Sequence, residues 1–142
     1  MNFKNIDEFL KIFIDKPFFE YEKKGKTYFL KNKELEIQKQ PIMPGLPLGK
    51  QDKFFEPSLY LLELISKKTK NKIFINKEAE WLFLCGRDVF PKNITRNEAK
   101  EKIFLIQNEQ NENLGLGIKT KHKGKKIIKN LKDRGDFLRR EK

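Results

Sequence analysis

Apolar residues recur every three or four positions in several segments of the chain, which is the spacing of an amphipathic helix. The first segment begins near the N-terminus and stops before Pro17. In the second, Pro57 suits the first turn of a helix. In the third, Asn76 is a suitable N-cap and Gly86 a suitable terminating residue. The predicted helices cover about residues 3–15, 57–68 and 76–85, with a shorter one over 33–40.

Other segments alternate between apolar and polar residues or hold short apolar runs, and these predict strands. Gly25 lies between two of them and predicts a β-hairpin. The predicted strands cover about residues 18–24, 26–32, 71–75, 102–107, 114–121 and 125–131, with residues 136–139 a strand or turn. Predicted loops cover residues 41–53, where prolines and glycines are dense, and residues 91–98, and a polar turn covers 108–113. Helix and strand mix before residue 70, and strand dominates after it, so we predict an α+β protein of two small domains.

Positive charge is concentrated at the C-terminal end. The chain has 142 residues and a net charge of +12. Residues 114–142 hold eleven Lys or Arg and three Asp or Glu, and therefore carry eight of those twelve charges. Apolar residues such as Leu116, Ile128 and Leu131 stand between the charges. This mixture indicates folded structure with a cationic face, and it favours nucleic acid as the anionic partner.

Targeting and redox features of the sequence point to an intracellular protein. Asp7, Glu8, Lys11 and Asp15 interrupt the apolar runs near the N-terminus, which excludes a signal peptide or a membrane span there. Cys85 is the single cysteine, so no intrachain disulfide can form. We expect a cytoplasmic protein, nucleolar only if eukaryotic, with no membrane partner.

The sequence contains no recognisable catalytic constellation. His122 is the sole histidine, and no Ser-His-Asp set, phosphate-binding loop, dinucleotide-binding motif or zinc-binding Cys/His group is present. Cys85 lies at helical spacing from Trp81, and we expect it to be a buried structural thiol. We predict that the protein is not an enzyme, and that it has no catalytic residues, cofactor or metal.

The strand predicted from residue 114 is the first candidate for an RNA-binding surface. Side chains alternate along a strand, so Gly115, Gly117, Lys119 and Lys121 would face away from the core. Glycine leaves the backbone bare, and a sugar-phosphate chain could then approach closely beside the two lysines. In the alternative interpretation, the glycines serve a turn or bulge and the lysines only maintain solubility.

Two further groups of cations extend this candidate surface. Lys123, Lys125 and Lys126 surround Gly124 at a predicted hairpin tip. The second group lies near the C-terminus and consists of Arg134, Arg139 and Arg140. Their planar guanidinium groups are suited to binding phosphates and stacking on exposed bases.

Three segments in this order, KIFINKEAEWLFLCGRDVF, NLGLGIKT and IIKNLKDRGDFLRREK, resemble a PUA domain, a small β-rich RNA-binding fold. The first 70 residues, with LPLGKQDKFFEPSLYLLELI, resemble the pre-PUA domain of a ribosome-biogenesis family. Its eukaryotic member is the nuclear-import-protein-seven factor of the large subunit, and it has archaeal counterparts. Between Lys121 and Ile127 this chain is shorter and more cationic than the eukaryotic members, so details of RNA choice do not transfer.

The resemblance implies an α/β domain with an antiparallel sheet over residues 1–70 and a PUA pseudobarrel over residues 71–142. It implies RNA binding through the PUA half, with rRNA or pre-rRNA as the partner, in rRNA processing and large-subunit assembly. It also implies contacts with ribosome-assembly proteins through the N-terminal half. By position, it assigns RNA binding to the glycine-strand residues and the three arginines named above.

Two other functions are compatible with the sequence. PUA domains also occur in RNA-modifying enzymes, so the chain could be an accessory subunit of an RNA-modification complex. It could instead be a protein–protein adaptor with a generic basic surface, docking a partner through Phe54, Phe55, Tyr60 or the proline-rich residues 41–48.

Overall fold

The computed structural model describes residues 2–31 and 46–136. The chain divides into two compact units, Met1–Lys68 and Thr69–Lys142. The predicted α+β class is confirmed, with an antiparallel sheet in the first unit and a β-rich second unit. The helix predicted over residues 33–40 lies outside the described residues, as does the strand or turn predicted near the C-terminus from residue 137 onward.

In the described residues of the first unit, two helices pack with a four-stranded antiparallel sheet of order β1-β2-β3-β4. Its elements are α1 (Ile6–Phe13), β1 (Tyr21–Lys24), β2 (Thr27–Leu30), β3 (Pro47–Gln51), β4 (Phe55–Pro57) and α2 (Leu59–Ser66). Asn5 begins α1, because its side chain accepts a hydrogen bond from the Glu8 N–H at 2.9 Å. Aromatic rings form much of the core, and Phe9 lies 4.8 Å from Phe3 and 5.8 Å from Phe55 between ring centroids.

The predicted first hairpin is confirmed, but the loop predicted over residues 41–53 is wrong at Pro47–Gln51. These residues form β3, which lies between β2 and β4. Leu48 is fully buried. Proline is tolerated at the first position of a strand, and an added Cβ at Gly49 would lie 2.6 Å from the Phe55 ring. Residues that usually mark a loop therefore serve the close packing of this strand.

The start of α2 also differs from the prediction. Pro57 ends β4 and is not in the first turn of the helix. Ser58 is the N-cap, and its hydroxyl oxygen accepts a hydrogen bond from the Leu61 N–H at 3.1 Å. The helix therefore begins one residue after its cap, at Leu59.

Among its described residues, the second unit has a five-stranded sheet of order β6-β5-β7-β8-β9 and an α-helix, α3. Its elements are β5 (Lys72–Ile75), α3 (Lys77–Leu84), a short 3-10 helix (Pro91–Asn93), β6 (Ile94–Asn97), β7 (Ile103–Gln107), β8 (Asn113–His122) and β9 (Lys125–Asp133). β5 and β7 are parallel, and the other neighbours are antiparallel. The predicted caps of α3 are confirmed, since the Asn76 side chain accepts from the Ala79 N–H at 2.9 Å and Gly86 has φ +90°.

The sheet curls into a half-barrel because residues 89–97 connect its two edges. Val89 pairs with Ile128 on β9, and β6, which begins five residues later, pairs with β5. The loop predicted over residues 91–98 is therefore wrong at Ile94–Asn97. Most of β6 is exposed, so it lacks the apolar alternation that reveals a strand in sequence. Its pairing with the buried β5 defines it instead.

Candidate nucleic-acid interface

β8 and β9 form a long hairpin whose tip is Lys123-Gly124. His122 pairs with Lys125, so these two residues alone make the turn. Their φ angles are +50° and +78°, the positive values that a type I′ turn requires at both positions. The predicted tip is confirmed, and the lysines around it are exposed.

Several lysines of this hairpin lie on one face of the sheet. Lys121 is directly opposite Lys126, and Lys119, two residues along β8, is opposite Ile128. Opposite residues of an antiparallel pair project to the same side. Like charges placed directly opposite each other destabilise a hairpin, at a cost of about 0.2–1 kcal/mol. A bound anion between Lys121 and Lys126 would remove that repulsion.

A groove of about 530 Å³ lies between the hairpin and the segment that leads into β7. Four lysines line it, Lys100 and Lys102 from that segment and Lys119 and Lys126 from the hairpin. The Lys119 N–H donates to the Lys102 carbonyl oxygen at 2.9 Å, which fixes the two sides of the groove together. Cations from three stretches of sequence therefore meet in one groove.

A second cavity, of about 500 Å³, lies beside the hairpin tip. Its lining residues are Phe90, Pro91, Lys92, His122, Lys123, Lys125, Lys126 and Ile127. Phe90 is 53% exposed, so much of its ring faces solvent. The cavity therefore combines an apolar wall with a cationic rim, and it shares Lys126 with the groove.

The backbone around Phe90 is held in place by β9. The Val89 N–H donates to the Ile128 carbonyl oxygen at 2.8 Å, and the Ile128 N–H donates back to Val89 at 2.9 Å. Val89 is buried and its neighbour Phe90 points outward, as the alternation of extended chain requires. The core therefore fixes the position of an exposed aromatic side chain.

Asn130 on β9 reinforces this arrangement. Its side-chain N–H₂ donates to the Phe83 carbonyl oxygen at 2.9 Å, to the Arg87 carbonyl oxygen at 3.3 Å and to Asp133 at 3.1 Å. Its backbone N–H donates to the Asp88 carboxylate at 2.8 Å. One side chain thus ties the end of α3 and the segment before Phe90 to the sheet.

Eight lysines form what we call the lysine surface, namely seven that line these two cavities and Lys121, which lies opposite Lys126: Lys92, Lys100, Lys102, Lys119, Lys121, Lys123, Lys125 and Lys126. Among the described residues, no carboxylate lies within ion-pair distance of any of them. The hairpin of the first unit differs, because Lys26 pairs with Asp52 at 3.0 Å and Lys24 with Glu22 at 3.6 Å. The lysine surface therefore concentrates positive charge without ion pairs among the described residues, and Glu101 is the one carboxylate in the groove lining.

The structure does not support the reason for placing Gly115 and Gly117 at a binding surface, because both are buried. An added Cβ at Gly115 would overlap the Lys132 carbonyl oxygen, and one at Gly117 would lie 2.6 Å from Ile106 Cδ1. The backbone register of the hairpin shifts between Leu116 and Gly117. The missing side chains make room for protein atoms, as in the alternative interpretation of a bulge.

Arg134, the one predicted arginine among the described residues, is not brought to the lysine surface. Arg134 is exposed and its N–H donates to the Leu114 carbonyl oxygen at 2.7 Å, at the far end of the hairpin. Eight residues of strand separate it from Lys126, roughly 25 Å at the usual rise. Arg139 and Arg140 lie outside the described residues.

Sequence reasoning missed four contributors to the two cavities, namely Phe90, Lys92, Lys100 and Lys102. They lie before the basic C-terminal stretch, and strand pairing brings them to it. No local signal in the sequence marks Phe90, because Val89 and Phe90 are both apolar and only the structure distinguishes the buried one from the exposed one.

The prediction that Cys85 is buried is wrong. The thiol is exposed, and Trp81 on the preceding turn of α3 is 70% exposed. The inward face of this helix is formed by Ala79 and Phe83 instead, which are at most 2% exposed. The apolar run WLFL therefore misled the assignment of the buried face.

The part of the chain that the structure describes lacks a metal-binding cluster and a membrane-spanning helix. No group of three or more His, Cys, Asp or Glu side chains there could hold a metal ion. No helix there is both long and apolar enough to cross a membrane.

Comparison with other proteins places the second unit in a family. A model of the UPF0113 PUA domain matches residues 71–142. The UPF0113 protein of Archaeoglobus fulgidus is 28% identical over 113 residues, which cover 72% of this chain and 64% of that protein. The UPF0113 protein of Aeropyrum pernix is 33% identical over 100 residues, which cover 68% of this chain and 56% of that protein. The chain thus spans less than two thirds of the length of these curated relatives.

A solved structure has the same fold. It is that of a conserved PUA domain protein from Thermoplasma acidophilum, with a TM-score of 0.54, 18% sequence identity, and coverage of 87% of this chain and 80% of that chain. PUA domains typically bind RNA, and the predicted resemblance of the second half to a PUA domain is confirmed. Because the family model matches half of its residues, the chain belongs to the UPF0113 PUA domain family.

Proposed function

We propose that this protein is a non-catalytic RNA-binding factor that acts in ribosome biogenesis, in pre-rRNA processing and large-subunit assembly. The observation that supports RNA binding most directly is the lysine surface, where cations from separate segments line two adjacent cavities and outnumber Glu101, the one carboxylate among the described residues of the two linings. An accumulation of positive charge beside an exposed aromatic ring is typical of nucleic-acid interfaces. The family supports the same class of partner.

The proposed mode of binding is electrostatic contact with phosphates combined with contacts to unpaired bases. The groove and the cavity share Lys126, so a single strand could pass from one to the other. Proteins recognise RNA sequence mostly in single-stranded loops, bulges and ends, where bases are unstacked. We therefore propose that single-stranded regions of rRNA or pre-rRNA are the ligand.

The salt dependence of binding tests the phosphate contacts. For four to six contacted phosphates, log affinity for single-stranded RNA should fall with log salt at a slope of roughly −3 to −4. Replacing Lys119, Lys121 and Lys126 together with Ala should make that slope shallower by about 2, because each neutralised phosphate contributes about 0.7.

The first unit offers a matched control for that triple substitution. Lys23, Lys24 and Lys26 also surround a glycine turn, and replacing them with Ala removes the same charge. The control should leave the slope nearly unchanged. If both triple variants lower affinity equally, net charge alone drives binding and the proposed interface is wrong.

The role in ribosome biogenesis needs a test in cells. Crosslinking of the protein to total cellular RNA, with the attachment sites sequenced, should show enrichment in one region of large-subunit rRNA. The triple lysine variant should lose that enrichment. A diffuse spread over all RNA would overturn the proposed role while leaving RNA binding intact.

The first unit supplies the proposed contacts with ribosome-assembly proteins. Of the aromatic residues considered for docking, Phe55 is only 1% exposed and cannot contact a partner. Phe54 is 38% exposed and remains available.

A further inference from the structure

We infer that the cavity beside Phe90 is a subsite for one unpaired nucleobase, which stacks on the Phe90 ring. This inference rests on the proposed RNA-binding function and names the part of the ligand that this cavity takes. Its volume of about 500 Å³ lies within the range of about 300–1,000 Å³ typical of small-molecule pockets. A flat base is therefore accommodated together with part of its ribose.

The wall of the cavity has the chemistry of a stacking site. Phe90, Pro91 and Ile127 supply apolar surface, and Phe90 supplies the aromatic face. A ring that is 53% exposed in the free protein gains contact area when a base covers it. Every base has a π-face, so such a site requires no particular sequence.

Phe90 is also preorganised to receive a base. The reciprocal hydrogen bonds between Val89 and Ile128 fix the backbone on one side. On the other side, Pro91 restricts its own φ and begins the 3-10 helix. The buried Val89 side chain prevents the segment from rotating Phe90 inward. Little backbone entropy is then lost on binding.

The cations at the rim favour a nucleotide over an uncharged aromatic ligand. Three of the lysines, Lys92, Lys123 and Lys125, line only this cavity, whereas Lys126 lines both the cavity and the groove. A phosphate bound by Lys126 can therefore have its own base in the cavity while the next nucleotide enters the groove. An acidic peptide with an apolar side chain is the competing ligand, and the flat exposed ring favours the base.

The experiment compares two RNAs of equal charge. One is a uridine oligomer of about twelve nucleotides, and the other is the same ribose-phosphate chain without bases. Base stacking on an aromatic side chain contributes enough that Phe90→Ala should weaken binding of the uridine oligomer by about 5- to 140-fold. The same variant should bind the abasic chain as the unmodified protein does. Phe90→Trp should restore binding of the uridine oligomer.

Phe54→Ala is the matched control. Phe54 is likewise an exposed phenylalanine beside a lysine, since Lys53 Nζ lies 5.6 Å from its ring centroid. This substitution should change neither affinity. Because both rings are exposed rather than in the core, thermal unfolding should confirm that each variant remains folded.

The outcomes separate this inference from the proposed function. If Phe90→Ala has no effect while the Lys119, Lys121 and Lys126 triple variant loses affinity, the base subsite is refuted and RNA binding stands. If neither variant affects affinity, both proposals fail. An equal loss for the uridine and abasic chains would refute stacking, because the ring would then act only by positioning lysines. Tighter binding of a Phe-containing acidic peptide than of the uridine oligomer would also refute it.

Discussion

Replacing Gly117 with Ala distinguishes a glycine that packs against protein from one that lies against RNA. The new Cβ would lie 2.6 Å from Ile106 Cδ1 and 2.7 Å from Ile128 Cγ2. Both isoleucines are buried in the core of the second unit, so neither can move freely. Overpacking of this kind costs about 1–3 kcal/mol, while a smaller unfolded-state entropy returns about 0.4–1 kcal/mol. We expect the second unit to lose about 1–2 kcal/mol of unfolding free energy.

Two other glycines of the same hairpin calibrate that value. Gly115 has φ +155°, and its added Cβ would overlap the Lys132 carbonyl oxygen. The backbone of β9 would have to move, so Gly115→Ala should cost more than about 3 kcal/mol. Gly124 has φ +78° and nothing within 4 Å of an added Cβ. Gly124→Ala should therefore cost only the strain of placing a side chain on left-handed backbone, about 1 kcal/mol.

A double substitution identifies the cause of the loss at Gly117. Ile106→Val removes Cδ1, the atom that the new Cβ meets, and should recover part of the loss in the Gly117→Ala background. The same change should not rescue Gly124→Ala. The Val89 and Ile128 amides hydrogen-bond to each other's carbonyl oxygens. Their hydrogen-exchange rates therefore measure the opening free energy of this unit. A Gly117→Ala variant of unchanged stability that has lost RNA affinity would refute the packing argument and restore the ligand-approach interpretation.

Three further predictions concern single side chains. Asn130→Ala removes the two side-chain N–H donors that three acceptors share and should cost about 2–3 kcal/mol in the same exchange assay, with exposed Gln110→Ala near zero as its control. Tyr21→Phe removes the hydrogen bond to Asp7 and should cost about 1 kcal/mol. Burial and that bond raise the Tyr21 pKa above its usual value of about 10. The difference in unfolding free energy between the unmodified protein and the variant should therefore be full below pH 10 and shrink as the pH rises above it. A difference that grows above pH 10 would contradict the assignment. Cys85 should react fully with a thiol reagent in the native protein, and protection until unfolding would show that it is buried.

Local features of the sequence sufficed for much of the fold. The cap at Asn76, the stop at Gly86 and the turns at Gly25 and Lys123-Gly124 each depend on conformations within a few residues. Such interactions involve residues that are close in sequence, so local patterns predict them. β3 and β6 could not be found in this way. The first contains Pro47 and Gly49, and the second is mostly exposed, so both are defined by their partner strands.

The candidate site was predictable only in part, for the same reason. The lysines of the β8–β9 hairpin are close in sequence and were identified together. Lys100 and Lys102 reach the groove because β7 pairs with β8, and Phe90 reaches the cavity because Val89 pairs with β9. Convergence of residues distant in sequence depends on the register of the sheet. A sequence without its topology does not contain that information in readable form.

Charge counted along the sequence and charge placed in space therefore make different predictions for Lys126 and Arg134. Each substitution to Ala removes one positive charge from residues 114–142, and by count alone the two should be equivalent. In the structure Lys126 lines both cavities, whereas Arg134 lies roughly 25 Å along β9, about three Debye lengths at physiological salt. With a single-stranded RNA of about five nucleotides, Lys126→Ala should make the salt slope shallower by about 0.7 and Arg134→Ala should leave it unchanged. Equal slopes for the two variants would mean that the position of the charge has no influence, and the lysine surface would then not be the binding site.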